Sequence, residues 1–168
     1  MAPALAVARR FGLAVALGIV TAAGALAQSS ESQARTVEGT WYIQVTPIIC
    51  ATGEAVPGVS PVTALVTFHA GGTMSETAGG TGFAPGQRSP AHGKWHHRAE
   101  QTFVQRFTAL INFTTVPNFQ EAGWQVVEQT VELIGRDTLA STGTNAFFRS
   151  DGTLYRSGCS RATGRRFE

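Results

Sequence analysis

From Trp41 onward apolar and polar residues alternate with a period of two, and no window holds a helical period. Such alternation sends successive side chains to opposite faces of a pleated strand, so each run divides into an inner and an outer set. In residues 41–46, Trp41, Ile43 and Val45 share a face. Val62, Ala64, Val66 and Phe68 do the same in the next run, opposed by Thr63, Thr67 and His69. Strands are also predicted at 73–77, at 92–98 and at 101–113, where Phe103, Phe107, Ala109, Ile111 and Phe113 face away from Arg106 and Asn112. Runs at 123–133, 138–148 and 153–159 bring the number to eight.

The lengths of the connections add topology. They alternate: long at 47–61, short at 70–72, long at 78–90, short at 99–100, long at 114–122 and short at 135–137, before a last turn at 150–152. In an up-and-down meander alternate connections lie at opposite ends, so the long loops gather at one end and the tight turns at the other. Closing the meander removes unpaired edges, which makes the expected fold an all-β, eight-stranded antiparallel up-and-down barrel with room for side chains or one small ligand.

Residues 1–27 fall outside this pattern. Arg9 and Arg10 precede an apolar run from Phe11 to Val20, and Ala25-Leu26-Ala27 supplies a small-residue cleavage site, the layout of a secretory signal peptide. A Ser/Gln-rich linker is expected at 28–36 and the barrel domain at 37–168. The whole chain has 13 Lys+Arg against 11 Asp+Glu. Removal of the leader leaves 11 of each, so the small positive charge belongs to the leader and gives no support to nucleic-acid binding. No integral membrane span is expected after cleavage, and the destination is the periplasm or the exterior. In an oxidising compartment Cys50 and Cys159 are expected to form a disulfide, closing a loop of about 108 residues and contributing on the order of 4 kcal/mol. A difficulty follows. With an eighth strand ending at Cys159, the two cysteines fall at opposite ends, some 20 Å apart at about 3.3 Å per residue, whereas a bridge needs Cα atoms within about 7 Å. Either the seam is offset by barrel tilt and an irregular stretch at 47–50, or a strand is miscounted.

Candidate chemistry is sparse. His92 and His96 are four residues apart, about 13 Å along a strand and too far to share an ion, so no metal or other cofactor is expected. With Lys94 and Arg98 they form a solvated face, while Trp95 and His97 share the other. Glu128 and Glu132 are expected outside, which turns Gln125, Val127, Gln129, Val131 and Leu133 inward. Gln129 is then a polar group in an apolar wall, the kind of group that orients a ligand. His97 and Gln129 are the only candidates for catalysis. The Gly/Pro-rich segment 78–90, with Phe83 and Arg88 its only large side chains, reads as a mobile lid over the open mouth. Asn112-Phe113-Thr114 matches a glycosylation acceptor.

The first strand opens Gly39-Thr40-Trp41, which resembles the G-x-W signature of lipocalins and related calycins. Ser150-Asp151-Gly152-Thr153-Leu154-Tyr155 is similar to that family's T-D-x-x-x-Y turn, one connection late and without the Thr. The resemblance implies that Gly39 and Trp41 close one end of the barrel beneath an Arg near the last strand, with Arg165 the choice among Arg161, Arg165 and Arg166. It also implies a C-terminal α-helix, and here the sequence departs from the family, since no helical run lies between the last strand and Glu168. The expected function is binding of a small hydrophobic or amphipathic ligand in a lumen lined by Val66, Phe68, Trp95, Phe107, Ile111, Gln129 and Phe147. The alternatives are an isomerase or cyclase resembling allene oxide cyclase-like barrels, and a structural or adhesive envelope protein with a packed interior.

Overall fold

The computed structural model describes residues 36–80, 83–112 and 122–167. The expected signal peptide, all but one residue of the linker, and Phe113 and Thr114 of the glycosylation acceptor lie outside the described residues. Eight strands follow in order: β1 (Gly39–Ile48), β2 (Val62–Phe68), β3 (Thr73–Gly79), β4 (Arg88–Ala99), β5 (Thr102–Asn112), β6 (Ala122–Leu133), β7 (Thr138–Arg149) and β8 (Leu154–Arg166). Each pairs antiparallel with the next, and β1 pairs with β8, so the meander closes into a barrel without an edge. This all-β architecture is consistent with a calycin-like fold. No helix among the described residues is long and apolar enough to cross a membrane.

The inner set is the one the alternation assigns. Ile43 on β1, Ala64, Val66 and Phe68 on β2, Phe103, Phe107 and Ala109 on β5, and Val127, Val131 and Leu133 on β6 are buried in one core. Glu128 and Glu132 are exposed, as are His92, Lys94, His96 and Arg98.

Most strand boundaries shift by one or two residues from expectation, and two shift further, at the start of β4 and the end of β8. β4 begins at Arg88 rather than His92, so Arg88 leaves the expected lid and joins the wall. Ser89-Pro90 reads as a breaker because Pro lacks a ladder donor, but the register shifts between Arg88 and Ala91 and leaves Pro90 exposed at the irregularity, where Pro is tolerated. β8 continues past Cys159 to Arg166. Its inward residues Ser160, Ala162 and Gly164 are small or polar and carry no hydrophobic signal; a Cβ on Gly164 would collide with the side chain of Ile43 and lie 2.9 Å from Leu139 Cδ1.

The longer β8 removes the disulfide difficulty. Cys159 is the sixth residue of a 13-residue strand and pairs with Ile48, two residues before Cys50, so both cysteines lie at the long-loop end. They are bridged, with Cα atoms 5.2 Å apart.

At the opposite end Trp41 is fully buried, and its indole N–H donates to the Val37 carbonyl at 2.8 Å. The Arg166 guanidinium lies 4.3 Å over the Trp41 ring, where the negative π face attracts a cation. It also donates to the carbonyls of Glu38 and Thr36, which staples the entering chain across the barrel floor. Arg166 therefore takes the place assigned to Arg165, which is exposed; strand alternation turns the two to opposite sides. Gly39 adopts φ +115° and leaves no space for a Cβ, which would sit 2.9 Å from Arg166 Nη1. Glycine is the residue that meets both demands. The turn at 150–152 is held by Asp151, whose carboxylate accepts from the Thr153 N–H at 2.8 Å and the Thr153 hydroxyl at 2.7 Å. These bonds hold the Asp151 carboxyl below its usual range.

Candidate functional site

A cavity of about 470 Å³ occupies the lumen, within the range of small-molecule sites. Its walls are mainly apolar: Ile43, Val45, Ala64, Val66, Phe68, Phe107, Val127, Val131, Leu139 and Phe147. The mouth is bordered by Val56, Val59 and Ser60 from the first long connection and by Phe83 from the segment between β3 and β4. That first connection is pinned to the rim. Arg161 donates to the Gly53 carbonyl at 3.1 Å, the Val56 N–H donates to the Pro47 carbonyl at 3.0 Å, and the disulfide ties Cys50 to the cavity-lining Cys159.

Two polar stations interrupt the apolar wall. Nearer the mouth, Arg88 Nη1 donates to Glu76 Oε2 at 2.7 Å and Arg88 Nε donates to Gln125 Oε1 at 2.8 Å. The side chains of Arg88 and Glu76 are only 4% and 6% exposed, so this ion pair is desolvated. Burial raises the Glu76 pKa above its usual value, and the charge and hydrogen bond of Arg88 lower it by less. The Phe83 ring lies 5.6 Å from the Arg88 guanidinium carbon and caps the pair. Deeper in the barrel, Gln105 Nε2 donates to Gln129 Oε1 at 2.7 Å, Ser141 Oγ donates to the same oxygen at 3.2 Å, and Gln129 Nε2 donates to Ser160 Oγ at 3.2 Å. The register places Phe107 and Val127 opposite each other between the stations, on the same strands as Gln105 and Gln129. Gln125 and Gln129 are four residues apart on β6, so the stations stand about 13 Å apart along the strand.

Of the residues assigned to the lumen from sequence, Val66, Phe68, Phe107, Gln129 and Phe147 border this cavity. Trp95 and Ile111 are not among its lining residues. Trp95 packs edge-on against Phe68 and Phe103 with ring centroids 6.0 and 5.8 Å away, and its N–H donates to the His69 carbonyl at 3.0 Å, which draws it to the closed end. Ile111 is buried beside Arg88 and Gly123. His97 is exposed at the tight turn, edge-on to Phe103 and 2.8 Å from the Glu100 carbonyl, outside the lumen.

Sequence reasoning missed Glu76, Arg88 and Gln105 as members of the wall. Glu76 and Gln105 occupy inward positions of their strands, so a polar residue in phase with apolar neighbours was the available signal. Arg88 gave none, because its strand starts ahead of a proline. Among the described residues no group of three or more His, Cys, Asp or Glu side chains could hold a metal ion. Comparison of the chain with protein-family models, curated proteins and solved structures finds no significant match.

Proposed function

We propose that this protein is an exported, lipocalin-like barrel that binds a small amphipathic molecule in its lumen. The cavity of about 470 Å³, apolar over most of its wall and furnished with two polar stations, is the observation that carries the reading. Ligand carbon displaces water from the apolar band, which supplies affinity, while the stations select orientation. The bridged cysteines and the secretory character of residues 1–27 support export. The ligand-contacting residues proposed are Val66, Phe68, Phe107, Gln129 and Phe147, with Arg88, Glu76 and Gln105 added from the structure. A fully packed structural barrel is the weaker alternative, because the lumen holds a void of that size.

A second reading, an isomerase or cyclase confined in the same lumen, draws on one observation: Glu76 is an inward carboxyl whose pKa burial raises. Inward ionisable groups with shifted titration mark acid–base sites. Its engagement with Arg88 places it behind the binding reading.

Native mass spectrometry of oxidised protein purified from its source tests both. The expected result is a retained small molecule, displaced one-for-one by a fluorescent aliphatic probe, with Gln129→Ala altering probe affinity. Failure of the folded protein to retain a molecule and to take up the probe would overturn the binding reading. Conversion of the retained molecule on incubation, abolished by Glu76→Gln, would establish the enzyme instead.

A further inference from the structure

We infer that the deep polar station recognises a ligand hydroxyl, which donates its proton to the Gln105 carboxamide oxygen. The inference rests on the lumen being a binding site. Gln105 lines the cavity and is 5% exposed, yet its Oε1 is a buried oxygen with no hydrogen-bond partner among the described residues. The rest of the station is satisfied in sequence: Gln105 gives its N–H to Gln129, which accepts also from Ser141 and gives its own N–H to Ser160. The chain of bonds therefore ends on one orphan acceptor. Leaving such a group buried and unpaired costs free energy, and a donor that reaches it recovers that loss.

The surroundings narrow the donor. Gln105, Gln129, Ser141 and Ser160 are all neutral, and the ion pair of Glu76 and Arg88 belongs to the other station, level with Gln125. An ammonium group would arrive at the deep station without a counter-ion and lose its hydration, and a carboxylate would set a second acceptor against Gln105. A hydroxyl is neutral, small and able to donate. The ligand class is thus an aliphatic or alicyclic alcohol whose hydroxyl enters first and whose carbon fills the band of Phe107 and Val127.

The test compares 1-decanol with decyl methyl ether, which keeps the oxygen and loses the donor, by calorimetry and by displacement of an aliphatic probe. The expected result is an affinity for the alcohol about tenfold or more above that for the ether. In Gln105→Met the preference vanishes, and in Thr108→Val, exposed on the outer face of β5, the preference persists. Equal affinities for alcohol and ether in the wild-type protein would overturn the inference, a result expected if water serves Gln105 or if the amide is reversed. Because that comparison uses wild-type protein, it stands even where a variant fails to fold. Binding of neither compound, with no probe uptake, would instead sink the binding reading itself.

Discussion

Glu76 and Arg88 sit where desolvation is severe, and their pairing is a poor source of stability on its own. Burying two charges offsets most of their attraction, so such pairs commonly match a hydrophobic replacement, while removal of one partner costs about 3–5 kcal/mol. For Glu76 burial outweighs Arg88 and raises the pKa from 4.5. The folded protein then holds this proton to higher pH than the unfolded chain does. Stability from this group is complete below the unfolded value and declines as pH rises through the folded one. The unfolding free energy of the wild type minus that of Glu76→Gln is expected to fall as pH rises above the ordinary carboxyl value of 4.5, measured by urea denaturation from acid to neutral pH. A flat or rising difference would contradict the assignment. No alternation pattern foretells this pair, because one partner is in phase on β3 while the other reaches inward from beside a bulge.

Individual strands owe their lumen geometry to small residues at set points. On β7, Gly143 pairs with Gln129, and a Cβ there would strike the Glu128 carbonyl oxygen and lie 2.7 Å from Gln129 Cα. The missing side chain lets β6 and β7 approach and leaves the Gln129 amide its course toward Gln105. Gly143→Ala is expected to destabilise the barrel by about 1–3 kcal/mol, since backbone must move. It should also weaken any ligand preference that depends on Gln105. Thermal denaturation and the alcohol–ether comparison check the two effects; an unchanged melting temperature would show that the strands yield without strain. β8 illustrates the same logic from the other side, for its inward Ala162 and Gly164 are small where Ile43 and Leu139 fill the space. A strand that donates little volume gives little hydrophobic pattern, which is why its last residues were not legible.

For the whole molecule, closure and the Cys50–Cys159 bridge act together. The bridge spans 109 residues of chain and anchors the first long connection to the rim of the cavity. In the chain-entropy picture, its loss in Cys50→Ser with Cys159→Ser lowers the unfolding free energy by on the order of 4 kcal/mol, readable by denaturant titration. A loss below about 1 kcal/mol would mean that residual structure already restrains the unfolded chain or that the bridge strains the folded rim. Val56 and Val59 lie near this tether, so probe affinity is expected to fall in the double variant even where the barrel remains folded.

Taken by itself, the sequence determined what is local: the period of two, the eight strands, the inward set on β1, β2, β5 and β6, and the alternation of long and short connections. These depend on nearest neighbours along the chain and on where the chain turns. The sequence also named the Cys50–Cys159 bridge, but the tertiary structure alone decided how the other partners meet: Arg88 with Glu76, Gln105 with Gln129, and Arg166 over Trp41. Each of those meetings depends on strand length and stagger, and a stagger is settled only when all eight strands close on one another, since a closed ring must satisfy every register at once.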